Sequence, residues 1–220
     1  MRIQPKTIDM KQKVLLLTLL IAQASLSIHG QDVRTEDSIT VAYEMPKDDF
    51  LYKLMDFQKI YAFDVTVKST KKGLPYSIDM VQCTDGEVTR KPLTRNIPMR
   101  LDTLNHFHFF AQAASKDTAH IALFSHISAE WNIPIHTQNC ILMEVLPPHA
   151  YATTDTIPLI AYTPGHQITT EWQGQTMKAI DYCGVRFSKK QPSEWYKAFD
   201  LKDYLYFELI LSPRKKEAEQ

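Results

Sequence analysis

Glycine is scarce in this sequence, with six among 220 residues. Sites that cradle phosphates or dinucleotides use glycine to let the backbone approach the ligand, and few positions here allow it. No GxGxxG, Walker loop, GxSxG or HExxH occurs, which leaves nucleotide-dependent, serine-hydrolase and zincin chemistry without a motif. An excess of either charge is missing too. Lysine plus arginine and aspartate plus glutamate both number 25, and no basic stripe offers the electrostatic grip that nucleic acid demands. The cluster from Arg214 to Lys216 is followed by Glu217 and Glu219 and reads as a solvated C-terminal tail, 213–220.

Cysteine is sparse as well. Cys83, Cys140 and Cys183 show neither CxxC nor zinc-type spacing; in an oxidising compartment they allow one disulfide, in any of three pairings, with one thiol left over. Cys183 falls on the side of an alternating stretch that carries Met177, Ala179, Val185 and Phe187, which predicts a small buried side chain.

Apolar runs long enough to span a bilayer, about 20 residues, are lacking. The run from Val14 to Ala24 is too short, but Lys11 and Lys13 precede it and small or weakly polar residues follow as far as Gly30. That order is the one a secretory signal peptide shows. The sequence therefore predicts a signal peptide over 1–30, cut between Gly30 and Gln31 or, second, after Ala24. A single exported domain over 31–212 follows, with no transmembrane segment in the mature chain.

What is present is alternation of period two. Ile60 to Val67, Tyr76 to Gln82, Asn105 to Ala114, Ala119 to Ile127, Thr137 to Leu146, Met177 to Phe187 and Tyr204 to Leu211 alternate, with shorter segments at Ile39 to Tyr43 and Ile157 to Tyr162. About nine strands make an all-β chain, and an antiparallel β-sandwich is the expected architecture. Two short helices interrupt it. Pro46 to Gln58 opens with Pro and two Asp and groups Phe50, Leu51, Leu54 and Met55; Pro192 to Phe199 sets Trp195 and Phe199 four apart. A polar-Ile-Pro-apolar form at Asn96-Ile97-Pro98-Met99, Asn132-Ile133-Pro134-Ile135 and Thr156-Ile157-Pro158-Leu159 suggests strand starts, where a missing N–H is harmless.

Two patterns carry candidate chemistry. In the hairpin around residue 116, Phe107, Phe109, Ala111 and Ala113 must share a core with Ala119, Ile121, Leu123 and Ile127, so odd residues pair with odd and a three-residue loop is expected. The opposite face then gathers His106, His108, His120 and His126, with His126 across from His106 or His108, near enough for a divalent metal at His106, His108 and His126. Otherwise no cofactor is expected. The second pattern is the dipeptide Glu-Trp, which contains all three tryptophans: Glu130-Trp131, Glu171-Trp172 and Glu194-Trp195. Indoles stack on sugar rings and carboxylates bond hydroxyls, so these six residues are candidate carbohydrate contacts; a core tryptophan beside a solvent-facing acid gives the same dipeptide.

Asp37-Ser38-Ile39, Asp102-Thr103-Leu104, Asp117-Thr118-Ala119 and Asp155-Thr156-Ile157 resemble the Asp-Ser/Thr-apolar acceptors of a general O-glycosylation system in Gram-negative gut anaerobes. Together with the Gly30-Gln31 junction, they make the chain resemble a small exported family of unknown function from that group. The resemblance implies a periplasmic, cell-surface or extracellular location and glycans on Ser38, Thr103, Thr118 or Thr156, and it implies no activity. The expectation is a binding or interaction module for a glycan or an envelope protein. A hydrolase or metal-dependent enzyme acting on saccharide or cell-envelope material comes second.

Overall fold

The computed structural model describes residues 37–94, 97–145, 150–153 and 156–211, and the backbone alone of Trp172. The expected signal peptide and C-terminal tail lie outside the described residues, as do Asn96 and Asp155. In chain order the elements are β1 (Ser38–Glu44), α1 (Asp49–Phe57), β2 (Ile60–Ser69), β3 (Pro75–Thr84), β4 (Glu87–Pro92), β5 (Met99–Arg100), β6 (Leu104–Ser115), β7 (Thr118–Phe124), β8 (Ser128–Pro134) and β9 (Ile141–Met143). There follow β10 (Ala150–Ala152), β11 (Thr156–Thr163), β12 (His166–Trp172), β13 (Gln175–Asp181), α2 (Tyr182–Arg186), α3 (Trp195–Phe199) and β14 (Asp203–Leu211).

The chain is all-β, in antiparallel sheets with few short helices. One sheet has the order β10-β1-β2-β6-β7-β8 and the other β4-β3-β14-β11-β9, with β5 beside β3; β12 and β13 form a separate ribbon. Alternation explains the layer between the sheets. Val65, Phe107, Phe109 and Ile121 from the first sheet meet Ile78, Leu205, Phe207 and Leu209 from the second in one buried cluster. The ring centroids of Phe109 and Phe207 stand 5.0 Å apart, and Tyr76 meets Phe107 edge-on at 6.0 Å.

The inner strands of the second sheet, β3, β14 and β11, are buried on both faces. Even-numbered residues of β14, Tyr204 and Tyr206, join Val81, Cys83 and Ala161 in another cluster, covered by Val185 of α2, Trp195 of α3 and Leu201 from the connection between α3 and β14. Nearly every residue of β14 and β11 is consequently buried. In β11 the inward parity changes from Ile157 and Leu159 to Ile160 and Tyr162, because the register shifts between Pro158 and Ile160. Pro158 thus marks a bulge and Pro134 ends edge strand β8; only Pro98 stands at a strand start, just before β5. All three are places where a strand tolerates a missing N–H.

Among the described residues there are fourteen strands. The nine expected segments are all represented, and β4, β5, β8, β10 and β12 are additional. β4 escapes a hydrophobic pattern because all six of its residues are exposed on the sheet edge. It joins β3 through Asp85-Gly86, and β12 joins β13 through Gln173-Gly174, both turns having positive φ at both positions, the geometry that favours two-residue hairpins. The segment Thr137 to Leu146 is a strand only over β9.

The helices are fixed by caps. Leu51 N–H donates to Asp48 Oδ1 at 2.7 Å to start α1, and Gln191 N–H donates to Glu194 Oε2 at 2.9 Å ahead of α3. A third helix corrects the expected strand from Met177 to Phe187. Gly184 N–H donates to Asp181 Oδ1 at 2.7 Å, which ends β13 and starts α2. The change of period leaves Val185 buried, Met177 and Phe187 exposed and Cys183 exposed rather than buried. All three cysteines are free thiols.

Burial holds tyrosines in the protonated form. The Tyr76 phenol in the central core is pushed up to about 12, and those of Tyr204 and Tyr206 are pushed further in the same direction. A phenol whose folded value is raised contributes stability that is complete below its unfolded value near 10 and is lost as pH rises through the folded value. Stability should therefore be level up to pH about 10 and fall across pH about 10–12, with phenolate absorbance lagging behind that of free tyrosine; normal ionisation in the folded state would contradict this burial. Phe207→Ala should cost about 3–5 kcal/mol, seen as a lower urea midpoint at unchanged slope.

Candidate functional site

The β6–β7 hairpin has the expected parity, with Phe109 opposite Leu123 and Ala111 opposite Ile121. Its loop is shorter than expected. Ser115 pairs with Thr118 after a register shift from Ala113, so a bulge adds the odd residue that a three-residue loop would have supplied. His106 and His108 share the outward face, their rings nearly parallel with centroids 6.5 Å apart. His126 does not join them. β7 ends at Phe124, and a turn closed by Ser125 N–H donating to Ile127 O at 2.8 Å carries His126 out of register.

Neighbouring strands supply partners that inspection of the hairpin alone does not show. Asp64, opposite His108 on β2, places Oδ1 2.5 Å from His108 Nδ1. Thr66 Oγ1 lies 3.3 Å from His106 Nδ1, and Glu130 on β8 approaches His120 Nε2 at 3.3 Å. Among the described residues no three His, Cys, Asp or Glu side chains are grouped so as to hold a metal ion. The proposed set of His106, His108 and His126 is corrected accordingly.

The tryptophans divide. Trp195 is 1% exposed, stacks obliquely near Tyr204 with centroids 5.7 Å apart and donates its indole N–H to Lys190 O at 3.2 Å. It is a core residue and corrects the reading as a sugar contact. Glu194 beside it serves the cap of its own helix and lies 3.7 Å from Lys190 Nζ. Trp131 is half-buried against the inter-sheet core, 6.1 Å from Phe207, while Glu130 points outward on the same strand. Trp172 lies on β12, whose Glu171 is exposed. The candidate Glu-Trp pairs are thus spread over β8, the β12–β13 ribbon and the α3 turn. The four residues expected from the sequence as glycan acceptors all stand at strand starts or in turns: Thr103 and Thr156 are exposed, Ser38 and Thr118 half-buried.

The concave surface lies elsewhere, along the first residues of β2. A cavity of about 310 Å³ is walled by α1, β2, β9 and α2, with Met55, Ile60, Phe63, Leu142 and Met143 supplying apolar surface and Cys183 on its border. Its charged residues are paired: Arg186 Nη2 lies 2.5 Å from Glu144 Oε1, and Lys59 Nζ 3.3 Å from Asp56 Oδ1. A second cavity, of about 500 Å³, continues past Lys59 and Tyr61, which line both. Its wall is more polar, with Lys116, Ser115, Thr137, Gln138 and Asn139. Between the two, the Tyr182 hydroxyl donates to Asn139 O, tying α2 to the loop that borders the second cavity. A third, of about 300 Å³, shares Met45, Pro46, Ala62 and Phe63 with the first and reaches Asp64 and His108. Burial pushes the phenol of Tyr182 up to about 12 and that of Tyr61 upward, so both face these cavities as neutral hydroxyls.

The cleft was not read from the sequence, although α1 held a signal. Leu51, Tyr52, Leu54, Met55 and the two phenylalanines cover far more than one helical face, yet only Met55 is buried. A surface helix of that composition has apolar side chains left over after packing. The exposed Cys183 and the buried Cys83 and Cys140, the last with its thiol pushed up to about 12 by burial, predict one fast and two slow thiols. Titration with a thiol reagent should consume one equivalent in the folded protein and the rest on unfolding, and Cys183→Ser should abolish the fast phase; rapid reaction of two or three would contradict this arrangement.

Comparison with protein-family models, with curated proteins and with solved structures finds no match to the chain.

Proposed function

We propose that the chain is an exported binding module of the cell envelope, and that its ligand lodges an apolar portion in the cleft between α1 and α2. The export half rests on Lys11, Lys13 and the apolar run up to Ala24 in the sequence. The binding half rests on one observation: an apolar cavity is walled by a helix that is itself poorly buried. Phe50 is 76% exposed and Phe57 83%, while Met55 anchors the opposite side. The cavity lies within the range of small-molecule sites, about 300–1,000 Å³. A wall held by so few apolar contacts opens at low cost.

The hydrolytic alternative has one feature in its favour. His108 borders the third cavity with its Nδ1 2.5 Å from Asp64 Oδ1, the proximity of a base and a carboxylate without the hydrogen bond that orients a catalytic imidazole. The residues lining that cavity include no Ser, Thr or Cys to act as nucleophile, so the binding reading leads. Glycans belong to the same proposal, and Thr103 and Thr156 are the exposed positions for them; the intact mass of protein taken from its native envelope decides that point.

The cleft is tested with a neutral solvatochromic dye such as Nile red. Saturable one-to-one binding is expected, with alkylation of Cys183 slowed about tenfold at saturating dye, as mass action requires for a thiol occluded in the complex. Cys183→Trp, which fills the cavity from its rim, should abolish binding without lowering the urea midpoint. Dye binding indifferent to that substitution, or alkylation indifferent to dye, would remove this function from the cleft.

A further inference from the structure

The two larger cavities differ in chemistry and meet at two residues. The apolar one contains carboxylates and cations in equal number, matched as Glu144 with Arg186 and Asp56 with Lys59. The polar one is lined by Lys59 and Lys116 and by no Asp or Glu. Its remaining polar groups are the hydroxyls of Ser115, Thr118, Thr137, Tyr61 and Tyr162, the amides of Gln138 and Asn139 and the thiol of Cys140, which hydrogen-bond without adding charge. The arrangement is neutral and apolar on one side of Lys59 and Tyr61, and cationic and hydrogen-bonding on the other.

Lys59 is placed to serve both. It follows the last turn of α1 with φ 56, and its N–H donates to Asp56 O at 3.1 Å, which fixes the backbone at the boundary of the two cavities. Its ammonium contacts Asp56 only at 3.3 Å, with both side chains about 70% exposed. An exposed pair of this kind is weak, so the ammonium can turn to a ligand anion. Tyr61, on β2 between the cavities, presents an un-ionised phenol, and such a group donates to an anion instead of repelling it.

We infer that the two cavities form one bipartite site for an anionic amphiphile, its alkyl chain in the apolar cavity and its carboxylate or phosphate head against Lys59 and Lys116. This rests on the cleft reading above and adds to it the ligand class. A neutral apolar molecule uses half of the site, and a small anion without an alkyl chain gains too little from the other half alone to compete with an amphiphile that fills both.

The probe is dodecanoate below its micellar concentration, compared by calorimetry with dodecanol and with acetate, on the wild-type chain and on Lys59→Gln/Lys116→Gln. Dodecanoate should bind the wild type about tenfold more tightly than dodecanol at low ionic strength, a preference that shrinks as salt is added. The double substitution should bring the ratio close to one, Lys116→Gln alone, at a residue that lines the polar cavity and not the apolar one, should lower it while leaving dodecanol unchanged, and acetate should not compete. An equal ratio in the wild type, a ratio preserved in the variant, or effective competition by acetate each overturns the bipartite site while dodecanol binding keeps the cleft. Failure of dodecanol and dodecanoate alike overturns both. Sedimentation with phosphatidylglycerol vesicles carrying a labelled lipid separates the sources: label retained by the protein after the vesicles are removed identifies a membrane lipid, and binding of dodecanoate alone identifies a free amphiphile, either of which satisfies the inference.

Discussion

The burial of β14 on both faces is the constraint on which the remaining architecture depends. Its odd residues, from Leu205 to Leu211, belong to the core between the sheets, and its even residues, Tyr204 and Tyr206, to a second core on the far side. A strand in that position cannot present the ordinary division of one apolar and one wet face. Something has to cover the outer surface, and α2, α3 and the connection after α3 do so with Val185, Trp195 and Leu201. The position of α2 follows from that requirement, because Val185 has to reach the second core while Arg186 reaches Glu144. Once α2 is there, a wall stands opposite α1 and β2, and the apolar cleft is the space between.

The first sheet obeys the simpler rule, and its outward face shows how cross-strand neighbours consume groups that look available in one strand. His108 faces Asp64 and His120 faces Glu130, each partner arriving from an adjacent strand. These pairs are substantially exposed, so their contribution to stability is small, but they occupy His108 Nδ1 and His120 Nε2 with carboxylates from the neighbouring strands. A metal site requires convergence of several ligands on one point. The outward face of the sheet, with β7 ending at Phe124 and a turn at residues 125–127, spreads them instead.

Much of the architecture was legible because period two is imposed by the backbone itself. Phe107, Phe109 and Ala111 alternate in the sequence and share the core in the structure. Parity in the β6–β7 hairpin was likewise fixed by the need to keep both apolar sides together, although the loop that achieved it was not. What escaped were elements whose formation depends on caps or edges. The segment Tyr182–Arg186 reads as alternation until the Asp181 carboxylate takes the Gly184 N–H, and β4 carries no apolar pattern because its edge position asks for none. Tryptophan identity was a poor guide to exposure. An indole beside a glutamate proved to be core at Trp195, where the acid serves a helix cap.

The cleft residues were legible least, for a reason that applies to concavities on sheets generally: a concavity is made by the mutual placement of elements distant in sequence, here residues 45–63, 113–118, 135–144 and 182–186 together with Tyr162. Composition did leave one trace. A nine-residue helix cannot bury apolar side chains that project over most of its circumference, since only one side meets the sheet. In α1 the sheet side takes Met55, and Phe50 and Phe57 remain in water. Exposed aromatic surface of this kind is unfavourable by roughly 25 cal/mol per Å² of apolar area, so a helix retained in this state is bound weakly to its own domain and has apolar surface to offer another body. The same feature that makes α1 a poorly buried element is the one on which its proposed role as a wall of the binding cleft rests.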